Sequence, residues 1–306
     1  EPKRNDPLTK SNRYKRNPTH RTKPFREIIM AIQLLRAQVE NELRLFIEQM
    51  GEKNQLRDAC EYALLNGGKR LRPILVLMIA EALGGGADVM PSALSVEFFH
   101  TASLIADDLP SMDNDDLRRN SPSLHKVFGE SVAILASYAL IAEGYGGIYR
   151  NSQKRPESAV LCLEAATRCA GINGATNGQF LDLYPPDLSL DTLRKIIYQK
   201  TVTLFEISFI FGWIFGGGDP EKLPKVKKCA NHLGMAFQIA DDLLDAAEDT
   251  ACVNIGIVLG EEKAELLFEE EMKGFLASLK ELGLWSQPFQ EVAEFLSQYK
   301  ISRANR

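Results

Sequence analysis

The chain has 306 residues, 45% of them hydrophobic, enough to bury a large core in one or two domains. A formal net charge of −5 excludes a general nucleic-acid binder, whose footprint would be basic. Five cysteines, Cys60, Cys162, Cys169, Cys229 and Cys252, lie scattered with no CxxC pair, so they read as reduced thiols of a cytoplasmic protein.

From Pro2 to Arg26 the chain is rich in Lys, Arg, Asn and Pro, with Asp6 its only acid. Such a composition cannot form a core, so residues 1–26 are expected to be a disordered basic tail, with organellar targeting the other reading. From 27 to 306 the period is helical. Ile28, Ile32, Leu35, Val39, Leu43, Phe46 and Met50 make one stripe of a long helix stopped by Gly51. Apolar stretches follow at 71–84, 91–107, 126–149, 157–182, 189–215 and 224–247, and Ala264, Phe268, Met272, Phe275, Leu279 and Leu282 repeat the stripe. Separators such as Gly84-Gly85-Gly86, Asn120-Ser121-Pro122 and Gly216-Gly217-Gly218 carry helix-stop chemistry. No apolar run reaches the roughly 18–20 residues of a membrane span. The nearest, Val202 to Phe215, carries Glu206 and reads as a buried helix. No strand alternation stands out. The expected fold is all-α, a single large helical bundle around a central cavity, a type that builds its sites from side chains on facing helices.

Two acid clusters interrupt this apolar background. Asp107-Asp108-Leu109-Pro110-Ser111-Met112-Asp113-Asn114-Asp115-Asp116 follows the helix ending in Ser103-Leu104-Ile105-Ala106. Pro110 should stop that helix just after the aspartate pair and let Asp113 fold back towards it. Asp241-Asp242-Leu243-Leu244-Asp245 is the second cluster; at about 100° per residue, Asp241, Asp245 and Glu248 share a face that continues from Gln238. Each run could be a solvated helix end. If both point inward, repulsion and desolvation demand cations between them, and oxygen-only ligands favour magnesium, shared with phosphates.

Cations bracket the acids. Gly67-Gly68-Lys69-Arg70-Leu71-Arg72-Pro73 is a glycine turn opening an apolar helix, suited to an anion but not a Walker loop. Arg118-Arg119 follows the first cluster, and Lys200-Thr201 opens a further apolar helix. His100 lies seven residues before Asp107, nearly on its face; alone it reads as a core histidine ahead of a ligand contact.

With these motifs in order, the chain resembles the trans-polyprenyl diphosphate synthases, particularly the short-chain farnesyl and geranylgeranyl diphosphate synthases with their isoprenoid synthase-like fold. The resemblance runs from about Ile28 to the C-terminus. It rests on the segment Ser103 to Arg119 with Pro122-Ser123-Leu124-His125-Lys126, on Phe237 to Asp245, on Gly67 to Pro73, on Gly178-Gln179 with Asp182, and on Lys200-Thr201. The resemblance implies that Asp107, Asp108, Asp113 and Asp241 hold three magnesium ions on an allylic diphosphate, with Asp242 and Asp245 supporting through water. It implies that Arg118 and Lys200 grip the same diphosphate, that Lys69, Arg72, His100 and Arg119 hold isopentenyl diphosphate, and that Gln179, Thr201 and Gln238 line the reacting carbons. Asp107, Asp108, Arg118, Lys200, Gln238 and Asp241 are the catalytic set so implied, and the family is typically homodimeric. Leu204 to Phe215 could supply that interface or equally be core.

Departures from the family pattern are specific. The Gly-Lys-rich loop after the second motif is missing, since Thr250-Ala251-Cys252-Val253-Asn254 runs almost directly into the next helix. Losing its lysine would cost about 3–4 kcal/mol of transition-state stabilisation unless another group, such as Lys263, substitutes. Asn120-Ser121 stands where the family has Gly-Lys, Ser137-Tyr138 where it has Gly-Asp, and Ala106 where His is common. In the family an aromatic five positions before the first aspartate stops growth at fifteen carbons. That position is Ala102, beside Ser103, with Phe99 and Phe98 the next bulky groups. The floor should lie about 4–6 Å deeper, one isoprene unit, implying geranylgeranyl diphosphate before farnesyl diphosphate. A terpene cyclase also uses two acidic motifs, and a weakly active or non-catalytic subunit of a heteromeric synthase would tolerate the missing loop; both readings stay open.

Overall fold

The computed structural model describes residues 30–84, 88–153, 156–245 and 253–297. The expected tail, residues 1–26, lies outside them, as do Glu248, Asp249 and residues 250–252. The order begins with α1 (Met30–Glu48), α2 (Gln55–Leu65), α3 (Leu71–Ala82) and α4 (Met90–Asp107). A two-residue hairpin, β1 (Leu117–Arg118) and β2 (Ser121–Pro122), precedes α5 (Leu124–Phe128), α6 (Glu130–Ser152), α7 (Pro156–Ala170) and α8 (Ala175–Leu183). Then come α9 (Leu190–Ile197), a π-helical turn (Tyr198–Val202), α10 (Thr203–Phe215), α11 (Leu223–Asp245), α12 (Ile255–Leu259), α13 (Glu261–Leu282) and α14 (Gln287–Ser297).

The all-α expectation holds, and its boundaries are refined where glycines act. Gly129, at φ 84°, divides the apolar stretch 126–149 into α5 and α6. The stretch 157–182 breaks between α7 and α8, where Gly174 allows close approach to the carbonyl of Cys169. Arg119 and Asn120 both take positive φ, 54° and 65°, the conformation of the tight turns that suit a twisted hairpin. This hairpin is the strand pairing that the sequence did not signal.

Helix α10 is buried along its whole length, packed among α3, α4, α7 and α11. It is therefore core, and the alternative reading of Leu204–Phe215 as a subunit interface is corrected. Gly212 permits the approach to α3, since a methyl there would sit 2.7 Å from the Val76 carbonyl oxygen. Glu206 is the one carboxylate on this helix, and it is satisfied by Arg168 Nη2 at 2.8 Å and the Tyr198 hydroxyl at 3.0 Å. A buried charge so paired is tolerated where an unpaired one would be strongly destabilising.

Helices α4 and α6 lie in intimate contact. The Ser95 hydroxyl donates to the Gly144 carbonyl at 2.6 Å, and the Phe99 ring occupies the space that a side chain at Gly144 would need. Among the described residues α6 is long and apolar enough by length and composition to cross a membrane. Its Ala133, Ala136, Leu140, Gly144 and Ile148 are nevertheless buried inside the bundle.

Candidate active site

The first acid cluster folds as its proline dictates. Helix α4 ends at Asp107, and the Asp113 amide donates to the Asp107 carbonyl at 2.9 Å, which brings the later aspartate back towards the helix end. Burial pushes the Asp107 carboxyl up to about 7; Lys200 pulls against this rise and Asp113 adds to it. The Lys200 ammonium is paired with Asp182, and although burial opposes its charge, Asp182, Asp107 and Asp113 hold it above its usual value. Gln179 Nε2 donates to Asp113 at 3.3 Å, while its Oε1 is buried without a partner. Asp107, Asp113, Gln179, Asp182 and Lys200 therefore form one polar group from α4, the loop after it, α8 and the π turn. Asp182 belongs to the motif of Gly178-Gln179, and its spacing of three from Gln179 is the sequence signal that joins it to this group.

Asp108 pairs with an arginine of the hairpin. It is buried and accepts from Arg118 Nε at 2.9 Å and 3.1 Å, with Arg118 Nη2 also on it and reaching Asp115 at 3.2 Å. Consecutive helical residues point about 100° apart, so Asp107 faces the polar group while Asp108 turns to the hairpin and holds Arg118 beside it.

The second cluster lies on α11. Thr201 Oγ1 donates to Gln238 Oε1 at 2.8 Å, joining the π turn to that helix one turn before Asp241. Gln238 Nε2 in turn donates to Asp242 at 2.8 Å, and the Ile255 amide caps the other Asp242 oxygen at 3.0 Å. Asn254 Nδ2 donates to the Asp242 carbonyl at 3.0 Å. Where the resemblance leads one to expect a lysine-bearing loop, this chain thus docks α12 directly on its second acid motif, and Asp242 anchors it. Asp245 closes α11; its side chain lies outside the described residues. Lys263 is exposed on the first turn of α13.

The cationic side is built on α3 and the hairpin. Arg72 lies over the Phe205 ring at 4.5 Å and within 3.3 Å of His100 Nε2; burial pulls its guanidinium down to about 10. Burial, then Arg72 and Arg119, hold the His100 imidazole well below its usual value, so it is neutral and its Nε2 accepts from Arg72. Arg72 Nε and His100 Nδ1 are both buried without a partner, donors left for something that enters. Arg119 donates to the Gly67 carbonyl, and Lys69 Nζ lies 5.3 Å and 5.5 Å from the ring centres of Phe237 and Phe295. The field of Asp241 reaches Arg72. Arg118 likewise acts on Asp107, so the acids and the cations lie within electrostatic reach of one another.

The four residues expected to set chain length do not share a face. Phe98 packs on Phe46 of α1, with ring centres 4.8 Å apart, whereas Phe99 meets Tyr145 of α6 at 5.2 Å. Ala102 is buried, and its carbonyl accepts from the Ser137 hydroxyl at 3.1 Å; Ser103 turns its hydroxyl back to the His100 carbonyl at 2.8 Å. Ala102 lies against α6, and Ser137 is the nearest departure from the family pattern opposite it.

Asp107, Asp113 and Asp241 offer oxygen donors only. Among the described residues no three metal-ligating side chains converge to enclose an ion unaided. An ion that keeps several waters and is completed by a ligand's oxygens fits that arrangement, and a closed protein cage does not.

Residues 53–258 match the polyprenyl synthetase family profile. Geranylgeranyl pyrophosphate synthase 3, chloroplastic, of Arabidopsis thaliana is 37% identical over 249 residues, covering 79% of this chain and 66% of that protein. Heterodimeric geranylgeranyl pyrophosphate synthase large subunit 2 of the same plant is 37% identical over 241 residues, 77% of this chain and 61% of that one. The chain spans between 57% and 71% of the length of such relatives. The crystal structure of an FPP/GFPP synthase from Zymomonas mobilis superposes with a TM-score of 0.79 at 32% identity, covering 87% of this chain and 98% of that one.

Proposed function

The chain belongs to the polyprenyl synthetase family, and from that premise we propose that it condenses isopentenyl diphosphate with an allylic diphosphate to make a short trans-polyprenyl diphosphate. Geranylgeranyl diphosphate is the product we favour, with farnesyl diphosphate second. The observation that carries the reading is the pairing of two electrostatic groups close enough for their charges to act on each other. Asp107, Asp113 and Asp241 with Lys200 make one group, and the unpartnered Arg72 and His100 donors with Arg119 and Lys69 make the other.

In this reading Lys200 exchanges Asp182 for the allylic diphosphate, and Arg118, held by Asp108, faces the same group. Asp107, Asp108, Asp113 and Asp241 would hold magnesium, which would supply neutralisation of the charge on the leaving diphosphate. Lys69, Arg72, His100 and Arg119 orient isopentenyl diphosphate so that its double bond faces the allylic carbon. Gln179, Thr201 and Gln238 present dipoles to the carbocation, and the hydrogen bond from Thr201 fixes which end of Gln238 does so. The proton lost from the new chain passes to the departed diphosphate, so the protein needs no nucleophile of its own.

The described cysteines, Cys60, Cys162, Cys169 and Cys229, are buried free thiols, and burial pushes that of Cys60 up to about 11. They suit a reducing compartment. We favour the cytoplasm, with an organelle as the alternative that the chloroplastic relatives raise. For the subunit interface of a homodimer we propose the outer face of α6 and α7, where Leu135, Tyr138, Tyr149, Val160 and Leu163 are exposed. A partner-dependent subunit is the second reading, favoured by the replacement of the lysine-bearing loop with a docked α12.

The test is to incubate the purified chain with magnesium, isopentenyl diphosphate and dimethylallyl, geranyl or farnesyl diphosphate in turn, sizing products by carbon number. Incorporation that a chelator abolishes supports the proposal. No incorporation by the chain alone, restored by a second subunit, selects the second reading, and cyclic hydrocarbon from the allylic substrate alone selects a cyclase.

A further inference from the structure

Three of the four residues from Gly67 to Arg70 have left-handed backbones, at φ 75°, 119° and 51°. For Arg70 this conformation is disfavoured by about 1 kcal/mol or more, so something must hold it. Its side chain does so. The Arg70 guanidinium is almost wholly buried, ion-paired with Glu97 of α4, bonded from Nε to Glu40 of α1 at 2.7 Å, and donating to the Leu64 carbonyl at the end of α2. Glu97 is itself 1% exposed, and Arg119 Nη2 lies 4.0 Å from the same Glu97 oxygen that Arg70 holds. Arg119 also lies flat on Gly68, where a methyl group would stand 2.6 Å from its Cζ. Thus one inaccessible carboxylate faces two of the arginines around the proposed isopentenyl diphosphate pocket, and it heads the acids whose field supports the third, Arg72. Nothing in the reaction uses Glu97 directly, since it sits behind the cations.

We infer that Glu97, with Arg70 as its fixed partner, is a positioning residue that sets the placement of Arg119 and of the Gly67–Arg72 turn for isopentenyl diphosphate. The inference rests on the proposed condensation. Two roles for Glu97 are physically distinct and have opposite signs. If it only balances charge, removing its charge makes the pocket more positive and tightens binding of an anion. If it positions, removal leaves three guanidinium groups repelling one another without their shared anchor, Arg119 loses its place, and binding weakens.

The experiment compares Glu97→Gln, nearly isosteric and uncharged, with Glu97→Asp, charged but one methylene shorter, reading KM separately for each substrate. The expected result is a rise of about tenfold in KM for isopentenyl diphosphate in Glu97→Gln, with KM for the allylic diphosphate within about twofold of the unaltered protein. Glu97→Asp should show a smaller rise in the same constant, and it serves if Glu97→Gln does not fold. A lowered KM for isopentenyl diphosphate, an unchanged one, or equal rises for both substrates overturns the positioning role. Failure of the unaltered protein to incorporate isopentenyl diphosphate, alone or with a partner subunit, defeats the proposed function itself and is seen before any variant is made.

Discussion

Gly178→Ala is a one-methyl change that ought to cripple the site. In an isolated helix this substitution would stabilise by roughly 1 kcal/mol, because alanine loses less backbone freedom on folding. Gly178 is not isolated. It is the point where α8 touches the π turn, and an added methyl would lie 2.6 Å from both the Gln199 carbonyl carbon and the Lys200 Cα, with the Lys200 amide nitrogen closer still. Ordinary contact begins at 3.4 Å, so α8 and the turn must separate by about 1 Å. The neighbours resist that movement. Asn177 Nδ2 donates to the Gln199 side chain at 2.8 Å, and the Thr203 hydroxyl donates to the Gln199 carbonyl at 2.6 Å. Overpacking of this kind costs about 1–3 kcal/mol, which exceeds the helix gain. The displaced residues are Lys200 and Thr201, so a misplacement of about 1 Å should lower kcat/KM by about a hundredfold. Steady-state condensation assays and thermal unfolding measure the two effects. A raised Tm together with kcat/KM within threefold of the unaltered chain would refute the view that this contact aims Lys200.

Ala102→Phe should shorten the main product by one isoprene unit; chromatography of the dephosphorylated products checks it, and an unchanged length removes Ala102 from control of chain growth. Because Ala102 is buried against α6, the same variant should also lose about 1–3 kcal/mol of stability in denaturant unfolding. Asp182→Asn removes the charge that Lys200 is paired with, and should change KM for the allylic diphosphate by about fivefold or more while leaving that for isopentenyl diphosphate unchanged, read from paired KM measurements. Tyr138→Glu with Leu135→Asp places two charges on the exposed α6 face and should shift the purified chain from dimer to monomer in sedimentation; a dimer that persists moves the interface elsewhere.

Much of the architecture was legible because a helix writes its buried face into the sequence at a period of 3.6. The acids at the end of α4 were legible for a second reason, since Pro110 forces the stop that sets them at the helix end. What could not be read follows from direction and partnership, neither of which periodicity encodes. Asp107 and Asp108 are chemically identical neighbours, yet one faces the polar group and the other is taken by Arg118. Lys200 reads as the start of a helix, but it lies in a π turn between α9 and α10, where the extra residue re-aims it. Nothing in the spacing around Glu97 marks its partner, Arg70, 27 positions away. The common cause is that a residue's spacing reports its own helix, whereas its chemistry depends on which second helix arrives. A site assembled at the junction of several elements is therefore least legible in its anchoring groups. There, a substitution at Glu97 or Gly178 tests the arrangement more sharply than one at an aspartate whose importance any reading would predict.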